Sequence, residues 1–173
     1  MTETARPLAR RLLAELLGPA LLAAVVVGSG MFGPVSGRHF NPVVSFVDAA
    51  FGGLSRRDAL AYLPAQVTGC ALGAVRANAM SARAAIRIST HHRASPAHLF
   101  AEAIATAGLI VVIFALARTG RSSQAPTAVG AYIGAAYWFT SSTSFANPAI
   151  TIGRMLSNTF AGIAPAVVLP HTR

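Results

Sequence analysis

Four long stretches of this chain carry no charged side chain, and that restricts the folds open to it. Leu16 to Val35 runs twenty residues without a charge, Ala59 to Val75 seventeen, Ala103 to Ala117 fifteen, and Ala125 to Ala146 twenty-two. A helix needs about 20 apolar residues to cross the hydrocarbon core of a bilayer. The second run is a little short, but Arg76 follows it and can snorkel to the interface. The third is short as well and opens just after Glu102, with Gly108 in its middle. Four membrane-spanning helices are therefore expected. The first is read as a retained span, since it is long for a signal-peptide core and has no small-residue cleavage site before Arg38.

Composition agrees with lipid as the solvent. Hydrophobic residues make up 54% of the chain and charged residues 11%, whereas a soluble domain is about a quarter charged. The formal charge of +9 comes from fourteen basic residues, all arginine, against five acids. The arginines fall in short clusters between the apolar runs: Arg6, Arg10 and Arg11; Arg56 and Arg57; Arg83, Arg87 and Arg93; Arg118 and Arg121. That is the pattern of loop and flank charges in a membrane protein. It is not a stripe interleaved with aromatics, so no nucleic-acid partner is expected. Cys70 is a lone cysteine and His91-His92 a loop pair without partner ligands, so no metal site and no cofactor is expected. Nucleophilic triads and phosphate loops are missing, so the chain does not read as an enzyme. Gly69, Gly73, Gly130, Ala131, Gly134 and Ala135 recur at helical spacing, as in a tightly packed bundle.

The chain repeats itself. Leu12-Leu13-Ala14-Glu15 and Leu99-Phe100-Ala101-Glu102 each open an apolar run, and each is followed by an Asn-Pro pair. These pairs are Asn41-Pro42-Val43-Val44-Ser45 and Asn147-Pro148-Ala149-Ile150-Thr151. Such duplications in transport proteins often pack as inverted repeats about the midplane. The repeats are expected at about residues 9–80 and 97–165 of a single transmembrane domain covering 1–173. The interval from Glu15 to Asn41 is much shorter than that from Glu102 to Asn147. The shortfall is close to the length of one transmembrane helix, about 20 residues. Beyond Asn147 the chain runs only to Arg173, too short a stretch for both a half-helix and a full span. The chain reads as a six-span architecture lacking its second and sixth spans.

Asparagine is a favoured N-cap and proline a favoured first helical residue. Each Asn-Pro is thus a helix start, and the apolar stretch after the second, Ala149 to about Leu156, is too short to span. Two half-helices meeting head to head near the midplane would present partial positive charge and asparagine amides. That junction suits a neutral, hydrogen-bonding solute and opposes cations. A four-span chain, however, has the wrong parity for two half-helices entering from opposite faces, which sets the expected topology against the head-to-head junction. Charge counting does not choose the orientation.

The two motifs make the chain resemble the aquaporin, or major intrinsic protein, family. Ser36-Gly37-Arg38-His39-Phe40-Asn41-Pro42-Val43 is similar to the family signature Ser-Gly-x-His-x-Asn-Pro-Ala, with Val43 in place of alanine. Asn147-Pro148-Ala149 keeps the triplet, and Ala65-Gln66-Val67-Thr68-Gly69 matches a third-span pattern. The resemblance runs from about Ala9 to Pro165. It implies an all-α membrane protein: an inverted-repeat bundle with two Asn-Pro half-helices, here incomplete with about four full spans. It implies a tetramer in a lipid bilayer, with a pore in each subunit for water or small neutral, glycerol-like solutes. The arginine- and alanine-rich composition suits a bacterial inner membrane.

By resemblance, Asn41 and Asn147 are pore donors, with Pro42, Val43, Pro148 and Ala149 shaping the motifs. Glu15, His39 and Glu102 are the expected supports. The filter positions fall on Ile150, where many members carry arginine, and near Ala135, where narrow water channels carry histidine. Arg154, two helical turns after Asn147, is a further filter candidate or a half-helix end near water. The alternative to a channel is a truncated relative that inserts, or joins intact subunits, and conducts nothing. The shorter first interval favours that alternative.

Overall fold

A computed structural model describes residues 30–142 and 146–165. Glu15 and the first run from Leu16 to Ser29 lie outside these residues, and the run's last residues form a 3-10 turn leading into α1, Gly33–Ser36. Then come α2, Pro42–Ala50; α3, Arg56–Met80; α4, Pro96–Arg118; α5, Ala125–Phe139; and α6, Pro148–Arg154. All regular elements among the described residues are helical.

Local sequence sets the helix starts. Asn41, Ser55, Ser95 and Asn147 are extended N-caps whose side chains accept backbone N–H groups of the first turn, satisfying donors that have no intrahelical partner. Proline follows the cap in α2, α4 and α6. At about 1.5 Å per residue, α2 and α6 are about 14 and 11 Å long, so both are half-helices.

The expectation of four full spans is corrected in part. Among the described residues, α4 is the helix both long and apolar enough to cross a membrane, with a mean hydropathy of 2.4. At 25 residues α3 is long enough, but Arg56, Arg57, Asp58 and Arg76 dilute its apolar character. The charge-free run from Ala125 to Ala146 is not one helix. It stops at Phe139, and at 15 residues α5 is about 22 Å long. The reason is the run of hydroxyl residues that opens at Thr140. Thr140 turns extended, and its Oγ1 donates to the Ala136 carbonyl at 2.6 Å, which also accepts the Thr140 N–H at 3.1 Å.

The chain folds back so that helix ends pair. Phe51, just past α2, stacks obliquely on Phe114 near the end of α4, with ring centroids 5.5 Å apart. At the opposite end of the bundle, Asn78 near the end of α3 donates to the Leu156 carbonyl beyond α6 at 3.0 Å. The loop between α3 and α4 runs beside the segment after α6: Ser89 N–H donates to Met155 O at 2.9 Å and Ala164 N–H to His91 O at 2.8 Å. The Arg118–Arg121 loop and the Arg83–Arg93 loop therefore lie at opposite ends.

Two glycines set the closest helix approaches. At Gly108 in α4, the Tyr132 hydroxyl of α5 occupies the space of a missing Cβ and donates to the Ala105 carbonyl at 2.9 Å. Ala105, Leu109 and Ala146 form the buried core there, flanked by Ile113 and Val129. At Gly153 in α6, an added Cβ would sit 2.7 Å from the Cys70 carbonyl oxygen of α3. The small-residue stripe behaves otherwise. Gly69, Gly73 and Gly134 have open space where a Cβ would be, so they are not where helices of this chain meet. Gly153→Val should therefore lower the Tm of detergent-solubilised protein by several degrees, since overpacking costs about 1–3 kcal/mol. Gly134→Ala should leave it unchanged or slightly raised. Equal effects of the two substitutions would contradict this packing.

Candidate functional site

The two Asn-Pro motifs meet. Asn41 Nδ2 donates to the carbonyl of Ala146 at 2.6 Å, and Asn147 Nδ2 donates to the carbonyl of Phe40 at 2.9 Å. Each asparagine thus bonds the residue that precedes the other. The half-helices α2 and α6 begin at this junction and meet N-terminus to N-terminus. The expected parity conflict is overturned: reciprocal side-chain bonds close the junction.

The symmetry reaches deeper than the asparagines. Asn41 Oδ1 accepts from Val43 N–H at 2.9 Å, and Asn147 Oδ1 accepts from Ala149 and Ile150 N–H at 3.0 and 3.3 Å. One turn on in each motif, Ser45 Oγ donates to the Asn41 carbonyl and Thr151 Oγ1 to the Asn147 carbonyl, both at 3.1 Å. The residues ahead of the caps, Phe40 and Ala146, both have positive φ, +49° and +43°. A side-chain-bearing residue in that region costs about 1–2 kcal/mol. The turn aims each carbonyl across the junction, so the reciprocal bonds offset the strain.

Asn41 is 4% exposed and Asn147 9%. Each amide nitrogen has two hydrogens and its carbonyl partner takes one. A second N–H per asparagine is left for a passing acceptor. The two half-helix starts add their partial positive charge at the same place.

Glu102, on α4, braces the second motif. Its Oε2 accepts from Ala146 N–H at 2.6 Å, and its Oε1 accepts a short hydrogen bond from Ser142 Oγ. The carboxylate thereby holds the residue whose carbonyl receives Asn41. Glu15, its counterpart by sequence, lies outside the described residues.

His39 braces the first motif. Its Nδ1 lies 3.0 Å from the Ser36 carbonyl and its Nε2 2.9 Å from Asp48 Oδ2. The ring thus bridges the loop carbonyl and the half-helix carboxylate. Tyr62 of α3 packs edge-on against the ring and donates to the same Ser36 carbonyl at 3.3 Å. Gly37 is required: its φ is +71°, and an added Cβ would lie 2.9 Å from the imidazole. Gln66, also on α3, donates from Nε2 to Ser45 Oγ at 3.0 Å. A largely apolar cavity of about 380 Å³ flanks this motif, lined by His39, Phe40, Tyr62 and Gln66 among others.

The filter candidates are less convergent. Ile150 is an exposed residue of the first turn of α6, and Arg154, one turn later, lies on the same face. Arg154 Nε donates a short bond to the Ala161 carbonyl on the returning loop, and Tyr137, Arg93 and Glu102 lie within its electrostatic reach. Ala135 is on the exposed side of α5 with Ala131 and Trp138.

Three braces escaped the sequence reading: Asp48, Ser142 and Arg93. Arg93 gathers the Gly162, Ser142 and Phe160 carbonyls at 3.3, 3.4 and 2.9 Å. Asp48 did leave a signal, since an acid within an apolar half-helix calls for a partner.

Two half-helices joined through their asparagine caps, braced by a carboxylate on a spanning helix, define a membrane channel of the aquaporin kind. The profile of the major intrinsic protein family matches residues 8–159, and the chain belongs to that family, whose members are integral membrane channels and not enzymes. It is 42% identical to aquaglyceroporin AqpS of Rhizobium meliloti (strain 1021), over 91% of this chain and 80% of the relative. No solved structure matches it significantly.

Replacing Glu102 by alanine removes the acceptor of a backbone N–H, and an unsatisfied buried donor costs about 1–3 kcal/mol. The Tm in detergent should fall by several degrees, with faster amide exchange at Ala146. Unchanged exchange at Ala146 would contradict the bracing role.

Proposed function

We propose that this chain is a channel for water and small uncharged, glycerol-like solutes, with the asparagine junction as its selective point. The observation that carries the reading is the reciprocal pair of bonds, Asn41 to Ala146 and Asn147 to Phe40. Those bonds fix both amides and leave one N–H on each for a solute oxygen. A hydrogen-bonding neutral solute exchanges water for these donors. A cation meets two positive helix starts and loses hydration without an acceptor in return. The similarity to an aquaglyceroporin favours solutes of glycerol size alongside water.

In this reading Pro42, Val43, Pro148 and Ala149 set the two turns, and His39, Glu102 and Glu15 support them. Ile150 and Ala135 make a wider and less polar filter than arginine and histidine would. Arg154, fixed by the Ala161 carbonyl, supplies the charge one turn beyond Ile150. The two repeats form one domain, assembled as a tetramer in a bacterial plasma membrane. Neighbouring copies would shield the half-helices from lipid, because irregular backbone facing lipid costs several kcal/mol per unsatisfied group. The short interval between Glu15 and Asn41 supports a second reading, a relative that inserts without conducting.

Stopped-flow light scattering on proteoliposomes separates the two. A channel should shrink vesicles several-fold faster than lipid alone under an osmotic gradient and re-swell them with glycerol. Asn147→Asp retains the cap oxygen but turns a carboxylate on the Phe40 carbonyl, and should abolish the gain. Shrinkage no faster than in empty liposomes, with insertion confirmed, would establish the non-conducting reading.

A further inference from the structure

At the end of the bundle away from the Arg118–Arg121 loop, the turn after α3 encloses a cavity of about 250 Å³. Its lining is Asn78, Ala82, Arg83, Ala84, Arg87 and Asn158. At about 30 Å³ per water, it has room for roughly eight waters, more than a phosphate group requires.

The lining polar groups left over are donors. Asn78 is 3% exposed and fully engaged: Nδ2 donates to the Ala85 and Leu156 carbonyls at 3.0 Å each, and Oδ1 accepts from Ser157 Oγ at 2.7 Å. It builds the floor. Asn158 turns its oxygen to Thr90, accepting from the N–H at 3.2 Å and from Oγ1 at 3.3 Å. Its amide NH2 has no partner among the described residues. The side chains of Arg83 and Arg87 likewise bond nothing among the described residues, while their backbone N–H groups are tied to Asn78 O and Leu156 O at 2.9 and 3.0 Å. The acids among the described residues are Asp48, Asp58 and Glu102, and none lines the cavity. Two exposed arginines and one amide, on a backbone pinned at both ends, line a space without a counter-charge among the described residues.

We propose that this cavity binds a phosphate group, with Arg83, Arg87 and Asn158 as its donors. Guanidinium forks match phosphate oxygens with paired, charge-assisted bonds. The position, past the last turn of a spanning helix, is that of the lipid headgroups, where basic pockets take anionic lipid. The site is separate from the asparagine junction but is connected to it through α6, since Asn158 lies shortly beyond the end of α6 at Arg154. Occupancy therefore stiffens the segment that Arg154 and Arg93 also hold.

The test is thermal unfolding of the full chain in neutral detergent, titrated with short-chain phosphatidylglycerol, short-chain phosphatidylcholine or inorganic phosphate. A ligand bound to the folded state alone raises the Tm by mass action. Phosphatidylglycerol should raise it by about 5 °C near saturation and phosphatidylcholine should not. If inorganic phosphate alone gives the full shift, the site stands and its source is soluble phosphate; if only the lipid does, the source is the headgroup. Arg83→Gln/Arg87→Gln should lose the shift, and Arg118→Gln/Arg121→Gln at the other end should keep it. Asn158→Asp keeps an oxygen for Thr90 but opposes the ligand's charge, so it gives the same loss should the double variant fold poorly. An undiminished shift in both cavity variants, equal positive shifts with the two lipids, or no shift with any anion would overturn the site.

Discussion

Everything near the centre of this protein depends on two hydrogen bonds that cross between its halves. Asn41 and Asn147 lie in different repeats, far apart in the chain, yet each donates to the carbonyl that precedes the other. Buried amides and carbonyls left unpaired in a membrane would be costly. The reciprocal arrangement satisfies four groups at once and sets two short helices start to start. It also explains why non-glycine residues at Phe40 and Ala146 hold left-handed backbone: without that turn neither carbonyl would point across.

The two halves are held by different chemistry. The second motif leans on Glu102, which receives both Ala146 N–H and the Ser142 hydroxyl. The first leans on His39, anchored to Asp48 at the far end of its own half-helix and to Ser36 in the loop. At the outer end of α6, arginines replace carboxylates as the organisers: Arg154 and Arg93 draw the Ala161, Gly162 and Phe160 carbonyls together. Exposed apolar side chains such as Trp138, 92% exposed, and Phe160, 82%, are the outward face expected of a chain whose solvent is lipid.

The junction was legible in the sequence because capping is local. Asn-Pro dictates a helix start, and two copies behind matching glutamates dictate a pair. Glu102 could be chosen as a support because a carboxylate opening an apolar helix needs a donor. Span parity does not decide the junction, because the cross-junction bonds between Asn41 and Ala146 and between Asn147 and Phe40 are invisible to a count of spans. The fourth apolar run is longer than its helix because lack of charge does not specify helix, while the Thr140 hydroxyl caps its last turn. The glycine stripe was misplaced for a related reason. Spacing shows which residues share a face, but not what that face meets, and the close approaches fell to Gly108 and Gly153 instead.

The account stands or falls on the coupling between the two asparagines. A double-mutant cycle with Asn41→Ala, Asn147→Ala and both together, read by reversible unfolding in detergent, measures it directly. If the motifs lock each other, the first substitution releases most of what the second would. The double variant should then be more stable than the sum of the single losses implies, by about 1 kcal/mol or more. Losses that add within about 0.5 kcal/mol would mean that the half-helices are held independently and that the reciprocal junction is not what organises this protein.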